Sequence, residues 1–306
     1  MLLACPGEEA LGAGLRTGLP AEPVAFEMRH FPDGETYLRI DSNVQGRRLV
    51  LLCTLREPDA KLLPLLFMAD TLRELGARDI GLVAPYLAYM RQDKRFRAGE
   101  ALTSETFARL ISARFDWLVT VDPHLHRRQS LGEIYTIPAA VVHAAPLLAE
   151  WIRAHVPSPF VIGPDAESEQ WASAVANAVP CPHVVLEKVR HSDRAVTVSQ
   201  IPEIGRWAGY TPVLVDDIIA SARTMIESVA QLKATVHSAP ICLGVHAVFA
   251  AGAYEALREA GAARVVTTNS IPHASNAIDL SAALLEPVRR LLTQTAGAQA
   301  MSRQES

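Results

Sequence analysis

The chain has 306 residues, 49% of them hydrophobic and 20% charged, with a formal net charge of −4. That length and apolar share can build a large core split between two domains, and the mild acidity gives no global electrostatic case for a nucleic acid polymer or an anionic membrane. No apolar run reaches membrane-spanning length without interruption, and Cys5, Cys53, Cys181 and Cys242 form no C-x-x-C pair, which argues against structural zinc and a disulfide framework.

In chain order, Leu2–Cys5 is expected as a first strand and Glu8–Arg16 as a short helix weakened by Gly12 and Gly14. Val24–Met28 is extended, Phe31-Pro32-Asp33-Gly34-Glu35 is a turn, and Thr36–Ile40 alternates as a strand does. Leu49–Cys53 reads as a buried strand, Lys61–Leu75 as a helix stopped by Gly76, and Ile80–Ala84 as the next strand. Residues 87–102 break this rhythm: Arg91, Lys94, Arg95 and Arg97 crowd around Asp93 with Tyr89 and Phe96 between them, which suits a functional loop. Thr103 or Ser104 is expected to cap a helix running to about Arg114, ahead of strand Trp117–Val121.

After a helix near Ala145–Ala154, Pro157-Ser158-Pro159 marks a boundary between halves, and the pattern repeats. Strand Phe160–Gly163, helix Ser168–Ala178 and strand His183–Leu186 lead to a polar segment with Lys188, Arg190 and His191. Val213–Val215 reads as a strand that stops at Asp216, with a helix from Met225, strand Ile241–Val245, helix Ala253–Ala260 and strand Arg264–Thr267 following. A last helix covers Leu280–Leu292, and the polar tail Thr293–Ser306 is expected to be disordered. Strands alternating with helices throughout give an α/β fold with mainly parallel sheets.

Three strands end in acids: Asp122 with His124, Asp165, and Asp216 with Asp217. Carboxylates outside the carboxyl ends of parallel strands stand where such sheets bind ligands. Oxygen ligands with one imidazole suit Mg²⁺, which takes few protein ligands and leans on substrate phosphates. With cations at Arg91, Lys94, Lys188 and Arg190, the pattern points to phosphoryl transfer, a chemistry of positioning and charge stabilisation. Neither G-x-x-x-x-G-K-[ST] nor G-x-G-x-x-G occurs.

The ordered segments Phe31–Glu35, Arg91-Gln92-Asp93-Lys94, Val121–His124, Gly163-Pro164-Asp165, Lys188-Val189-Arg190 and Val215-Asp216-Asp217 resemble ribose-phosphate diphosphokinases over about residues 2–292. The resemblance implies two tandem phosphoribosyltransferase-type domains, 1–145 and 146–280, closed by the helix 281–292. It implies transfer of the diphosphoryl group of ATP to the anomeric hydroxyl of ribose 5-phosphate in a cytoplasmic homo-oligomer built from dimers. By the same resemblance Phe31, Asp33 and Glu35 would reach ATP held by a neighbouring subunit, and Arg91 and Gln92 would bind ATP. His124 and Asp165 would hold Mg²⁺, Lys188 and Arg190 would be catalytic, and Asp216 and Asp217 would clamp the ribose. Ser221, Ala222, Arg223 and Thr224 would hold the 5-phosphate.

Two segments depart from the family pattern. The phosphate loop lacks its glycines, and Arg223 is the candidate to replace them with a guanidinium contact. After Asp165 stand Glu167 and Glu169, read as capping the next helix in preference to binding metal. Two alternatives stay open at this level: a catalytically weak regulatory paralogue, and a phosphoribosyltransferase.

Overall fold

The computed structural model describes residues 1–125, 127–186, 188–192, 195–198, 204–207, 209–236 and 238–302; the side chains of 188–192, 195–198, 204–205, 235–236 and 296–302 lie outside that description. The chain divides into two compact units, Met1–Val142 with Leu280–Ser306, and His143–Asp279.

In the first unit the elements run β1 (Leu2–Ala4), α1 (Glu9–Gly18), β2 (Phe26–His30), β3 (Thr36–Ile40), β4 (Arg48–Leu52), α2 (Pro58–Glu74), β5 (Asp79–Ala84), α3 (Thr103–Ser112), β6 (Trp117–Val121) and β7 (Ala139–Val142). Five strands form a parallel sheet in the order β1-β4-β5-β6-β7. Every residue of β5 and β6 is buried, because helices cover both faces and each strand must be apolar on both sides. Strands β2 and β3 form a separate antiparallel hairpin whose β3 side packs on α2.

In the second unit follow α4 (Ala145–His155), β8 (Pro159–Gly163), α5 (Glu169–Ala178), β9 (His183–Val185), β10 (Lys188–Ser192), β11 (Ala195–Val198), β12 (Thr211–Ile218), α6 (Arg223–Val236), β13 (Ile241–His246), α7 (Ala253–Glu259), β14 (Arg264–Thr268) and β15 (Asn276–Ile278). Its main sheet is parallel, in the order β15-β14-β13-β12-β8-β9, and β10 pairs antiparallel with β11. The units part after Val142, ahead of the Pro157–Pro159 segment. Helix α4 belongs to the second unit, where it packs on α5 and the Arg264 guanidinium lies 4.7 Å from the Trp151 ring centre.

Helix α8 (Ser281–Ser302) returns to the first unit and continues to Ser302 within the segment 293–306 expected to be a disordered tail, whose last four residues lie outside the described ones. It packs along α1, where a Cβ on Gly14 would stand 2.1 Å from the Ser281 hydroxyl. The glycine that weakens α1 by propensity therefore admits its neighbour. Among the described residues no helix is long and apolar enough to cross a membrane.

Candidate active site

The acids of the second unit stand at the carboxyl ends of β8 and β12, adjacent parallel strands in register from Thr211 beside Pro159 to Leu214 beside Ile162. Strand β12 does not stop at Val215 as expected. Its ladder with β13 continues through Asp216 beside Gly244 to Ile218 beside His246, so both acids lie inside the strand. Asp217 is buried, 4% exposed, while solvent reaches part of Asp216, whose Oδ1 accepts the Asp217 N–H at 3.0 Å. The Asp216 carboxyl is held well above the usual carboxylate range, first by burial and then by the negative charges of Asp217 and Asp165. Asp165, Asp216 and Asp217 thus act on one another. A crowded carboxylate set of this kind gains from cations or hydroxyl donors brought to it.

Asp165 carries a second duty. Its Oδ1 accepts the N–H groups of Glu167 at 3.1 Å and Ser168 at 3.3 Å, and the Ser168 hydroxyl lies 3.2 Å from the Asp165 N–H. This capping box fixes the carboxylate at the start of the turn leading into α5. Glu167 and Glu169 are exposed, in the first turns of that turn and of α5, so Asp165 is the side chain that caps.

Beyond β12, α6 begins at Arg223 and not at Met225, because Ala222 takes φ +57 and its carbonyl accepts the Ile226 N–H at 2.8 Å. The loop keeps a left-handed residue without a glycine, at a backbone cost of about 1 kcal/mol. Ser221 and Arg223 are exposed and Ala222 is buried. The first N–H groups of α6 lack helical acceptors, as at any helix start, and such a terminus suits a phosphate. Lys188 and Arg190 lie on β10, a strand where only a polar segment was expected; the Lys188 and Arg190 backbones pair with Val198 and Val196, and their side chains lie outside the described residues.

In the first unit the Phe31–Glu35 turn joins β2 to β3. The Phe31 N–H donates to the Glu35 carbonyl at 2.8 Å, Asp33 Oδ1 accepts the Glu35 N–H at 3.1 Å, and Gly34 takes φ +92. Asp33 therefore shapes the turn, while Phe31 is 41% exposed with the Arg29 guanidinium 5.0 Å from its ring centre. The loop 87–102 is folded on its own acids. Asp93 pairs with Arg127 at 2.8 Å, and the Glu100 carboxylate accepts the N–H groups of Phe96 and Arg97 at 2.7 and 3.1 Å. Arg91 and Gln92 are exposed on it. The expected Thr103 or Ser104 cap of α3 is absent: Thr103 instead donates to Gln92 Oε1 at 2.9 Å and ties the loop to the helix. His124 is half-buried after β6, beyond Asp122, whose φ of +30 puts strain at that strand end.

Residues 1–114 match the model of the N-terminal domain of ribose phosphate pyrophosphokinase, and residues 130–283 match that of the phosphoribosyl transferase domain. A ribose-phosphate pyrophosphokinase of Sulfurisphaera tokodaii is 34% identical over 80% of this chain and 84% of its own. The chain belongs to the ribose-phosphate pyrophosphokinase family. One from Methanothermobacter thermautotrophicus is also 34% identical, over 89% of this chain and 93% of its own. The crystal structure of phosphoribosylpyrophosphate synthetase from Mycobacterium smegmatis superposes with a TM-score of 0.84 at 25% identity, covering 96% of this chain and 99% of that one. The family and the α/β fold expected from the sequence are both borne out, and this is an enzyme, a transferase of nucleotide biosynthesis. Two family domains in tandem set aside the phosphoribosyltransferase alternative, which needs only one.

Proposed function

We propose that this pyrophosphokinase works at the carboxyl ends of β8 and β12, with ATP as diphosphoryl donor and ribose 5-phosphate as acceptor. The anomeric oxygen bonds to the β phosphorus as the bond from that phosphorus to the α-bridging oxygen breaks. AMP leaves with the electron pair, and the anomeric hydroxyl gives up its proton. The observation carrying this reading is the placement of Asp165 at the end of β8 next to Asp216 and Asp217 on the adjacent strand β12, which leads into the start of α6. Asp216 and Asp217 accept from the ribose hydroxyls. Ser221, Ala222 and Thr224 offer N–H and hydroxyl donors to the 5-phosphate, and Arg223 adds the charge that the missing glycines leave to be supplied. Lys188 and Arg190 set cations against the transferring group.

In the same reading Phe31, Asp33 and Glu35 serve the adenine of ATP from a neighbouring subunit, and Arg91 and Gln92 serve ATP within the first domain. That use of the hairpin requires at least a dimer; our reading is a homo-oligomer built from dimers, working in the cytoplasm. The domain division 1–145 and 146–280 separates the ATP-facing residues of the hairpin and loop from the ribose site.

Mg²⁺ fits the oxygen donors present. Mg²⁺ takes few protein ligands and is carried largely by substrate phosphates. Asp165 and His124 are its protein ligands in this assignment, and when bound the ion neutralises charge on the diphosphoryl oxygens. Purified protein with Mg²⁺ and ATP should release AMP only when ribose 5-phosphate is added. Folded protein that releases none would sink the assignment.

A further inference from the structure

Two cysteines stand side by side in the first unit, at the carboxyl ends of β1 and β4, outside every site described above. The pairing of these strands sets Leu3 beside Leu51 and Ala4 beside Leu52. One step further along the same register lies Cys5 beside Cys53, and the Cys5 N–H still donates to the Leu52 carbonyl at 2.9 Å. Both residues are free thiols and buried, 8% and 3% exposed. Cys5 shares a hydrogen bond with Cys53, and that bond, ahead of burial, holds its thiol well above the ordinary range. Neighbouring strands lie about 4.8 Å apart. Disulfides accept Cα separations of roughly 4.4–6.8 Å, a range that includes this strand spacing.

A cavity of about 110 Å³ is lined by both cysteines, with Met28 and His30 of β2 and Lys61 and Pro64 of α2 among its other walls. A small oxidant fits in such a space, which is several times the roughly 10–15 Å³ that one water requires. Lys61 donates to the Thr54 carbonyl at 2.7 Å, so its ammonium is anchored next to Cys53; its charge favours a Cys5 thiolate but is outweighed by Cys53, by burial and by the opposing charge of Glu8. Cys181 and Cys242 belong to the other unit.

We propose that Cys5 and Cys53 are a modification site, closing to an intramolecular disulfide when hydrogen peroxide enters this cavity. One thiolate attacks a peroxide oxygen, the O–O bond breaks, and a sulfenic acid forms with release of hydroxide, protonated to water. The second thiolate attacks the sulfenic sulfur, the S–S bond forms, and a second hydroxide leaves as water. Two thiols lose two electrons and two protons, and one peroxide becomes two waters.

Full-length protein treated with hydrogen peroxide, alkylated and digested provides the test. The expected result is a peptide joining Cys5 to Cys53, an intact mass lower by two hydrogen atoms, reversal by dithiothreitol, and no such peptide from Cys5→Ser. The closed loop should also raise the thermal midpoint of the oxidised protein. Two thiols that remain fully alkylatable, or sulfinic and sulfonic acids with no joined peptide, would overturn the proposal. The wild-type digest decides the matter even where Cys5→Ser folds poorly.

Discussion

The two units place different chemistry at the same position of similar sheets. Where β8 and β12 end, the second unit carries Asp165, Asp216 and Asp217 and opens into a helix start. Where β1 and β4 end, the first unit carries two thiols and the buried Glu8, and the polar residues proposed to serve ATP stand on the hairpin and the 87–102 loop. A parallel sheet offers a ready site at its carboxyl edge, and the side chains that fill it decide what that edge can do: three acids can meet hydroxyls and cations, whereas two buried thiols beside a small cavity cannot. Changes in the second unit should therefore move catalysis, and changes at the matching edge of the first should move stability.

The largest effect belongs to the second unit. Lys188→Ala with Arg190→Ala should lower kcat by about 10²–10³-fold, the scale of losing fixed charge at a transferring phosphoryl group. Steady-state AMP release, with circular dichroism to confirm folding, measures it; a kcat within threefold of wild type, about 0.6 kcal/mol, would remove the two cations from the reaction.

At the first unit's edge the expectation concerns pH. Glu8 is pushed up to about 7 from an ordinary 4.5, chiefly by burial and against the opposing pull of the Thr54 N–H and Lys61. Between those two values the folded chain keeps a proton that the unfolded chain has released. Stability is therefore lost as pH rises through that window, by about 3 kcal/mol. Glu8→Gln should flatten that part of the profile in thermal or denaturant unfolding, and identical pH slopes for variant and wild type would contradict it.

Smaller again is Arg223→Ala, which sharpens the comparison by asking what replaced the phosphate loop's glycines. Loss of one charge-assisted contact should raise KM for ribose 5-phosphate about tenfold, some 1.4 kcal/mol, with kcat little changed. An unchanged KM would assign the 5-phosphate to the backbone N–H groups alone.

Much of this contrast is legible in the sequence, and the parts that are not have physical reasons. Buried strands such as β5 and β6 announce themselves because both faces must be apolar. The Phe31–Glu35 turn is visible because Asp33 and Gly34 supply its local chemistry. The end of β12 is hidden, since Asp216 and Asp217 look like a loop until Gly244 and His246 of β13 pair with Asp216 and Ile218 and carry the ladder past both acids. Strand β10 is hidden because Lys188–Ser192 is mostly polar and gains its strand state from β11. The role of Thr103 depends on Gln92, and that of Cys5 on Cys53, pairings set by tertiary register and not by spacing along the chain. In α8, alanine-rich continuation from Thr293 outweighs the polarity that suggested a tail.

The most direct measurement is ribose 5-phosphate binding by calorimetry to the wild-type enzyme and to Asp216→Asn with Asp217→Asn, both shown to be folded. Binding by the wild type and its loss from the variant is the expected result, placing the working edge at the end of β12. Equal affinity in both proteins would contradict it.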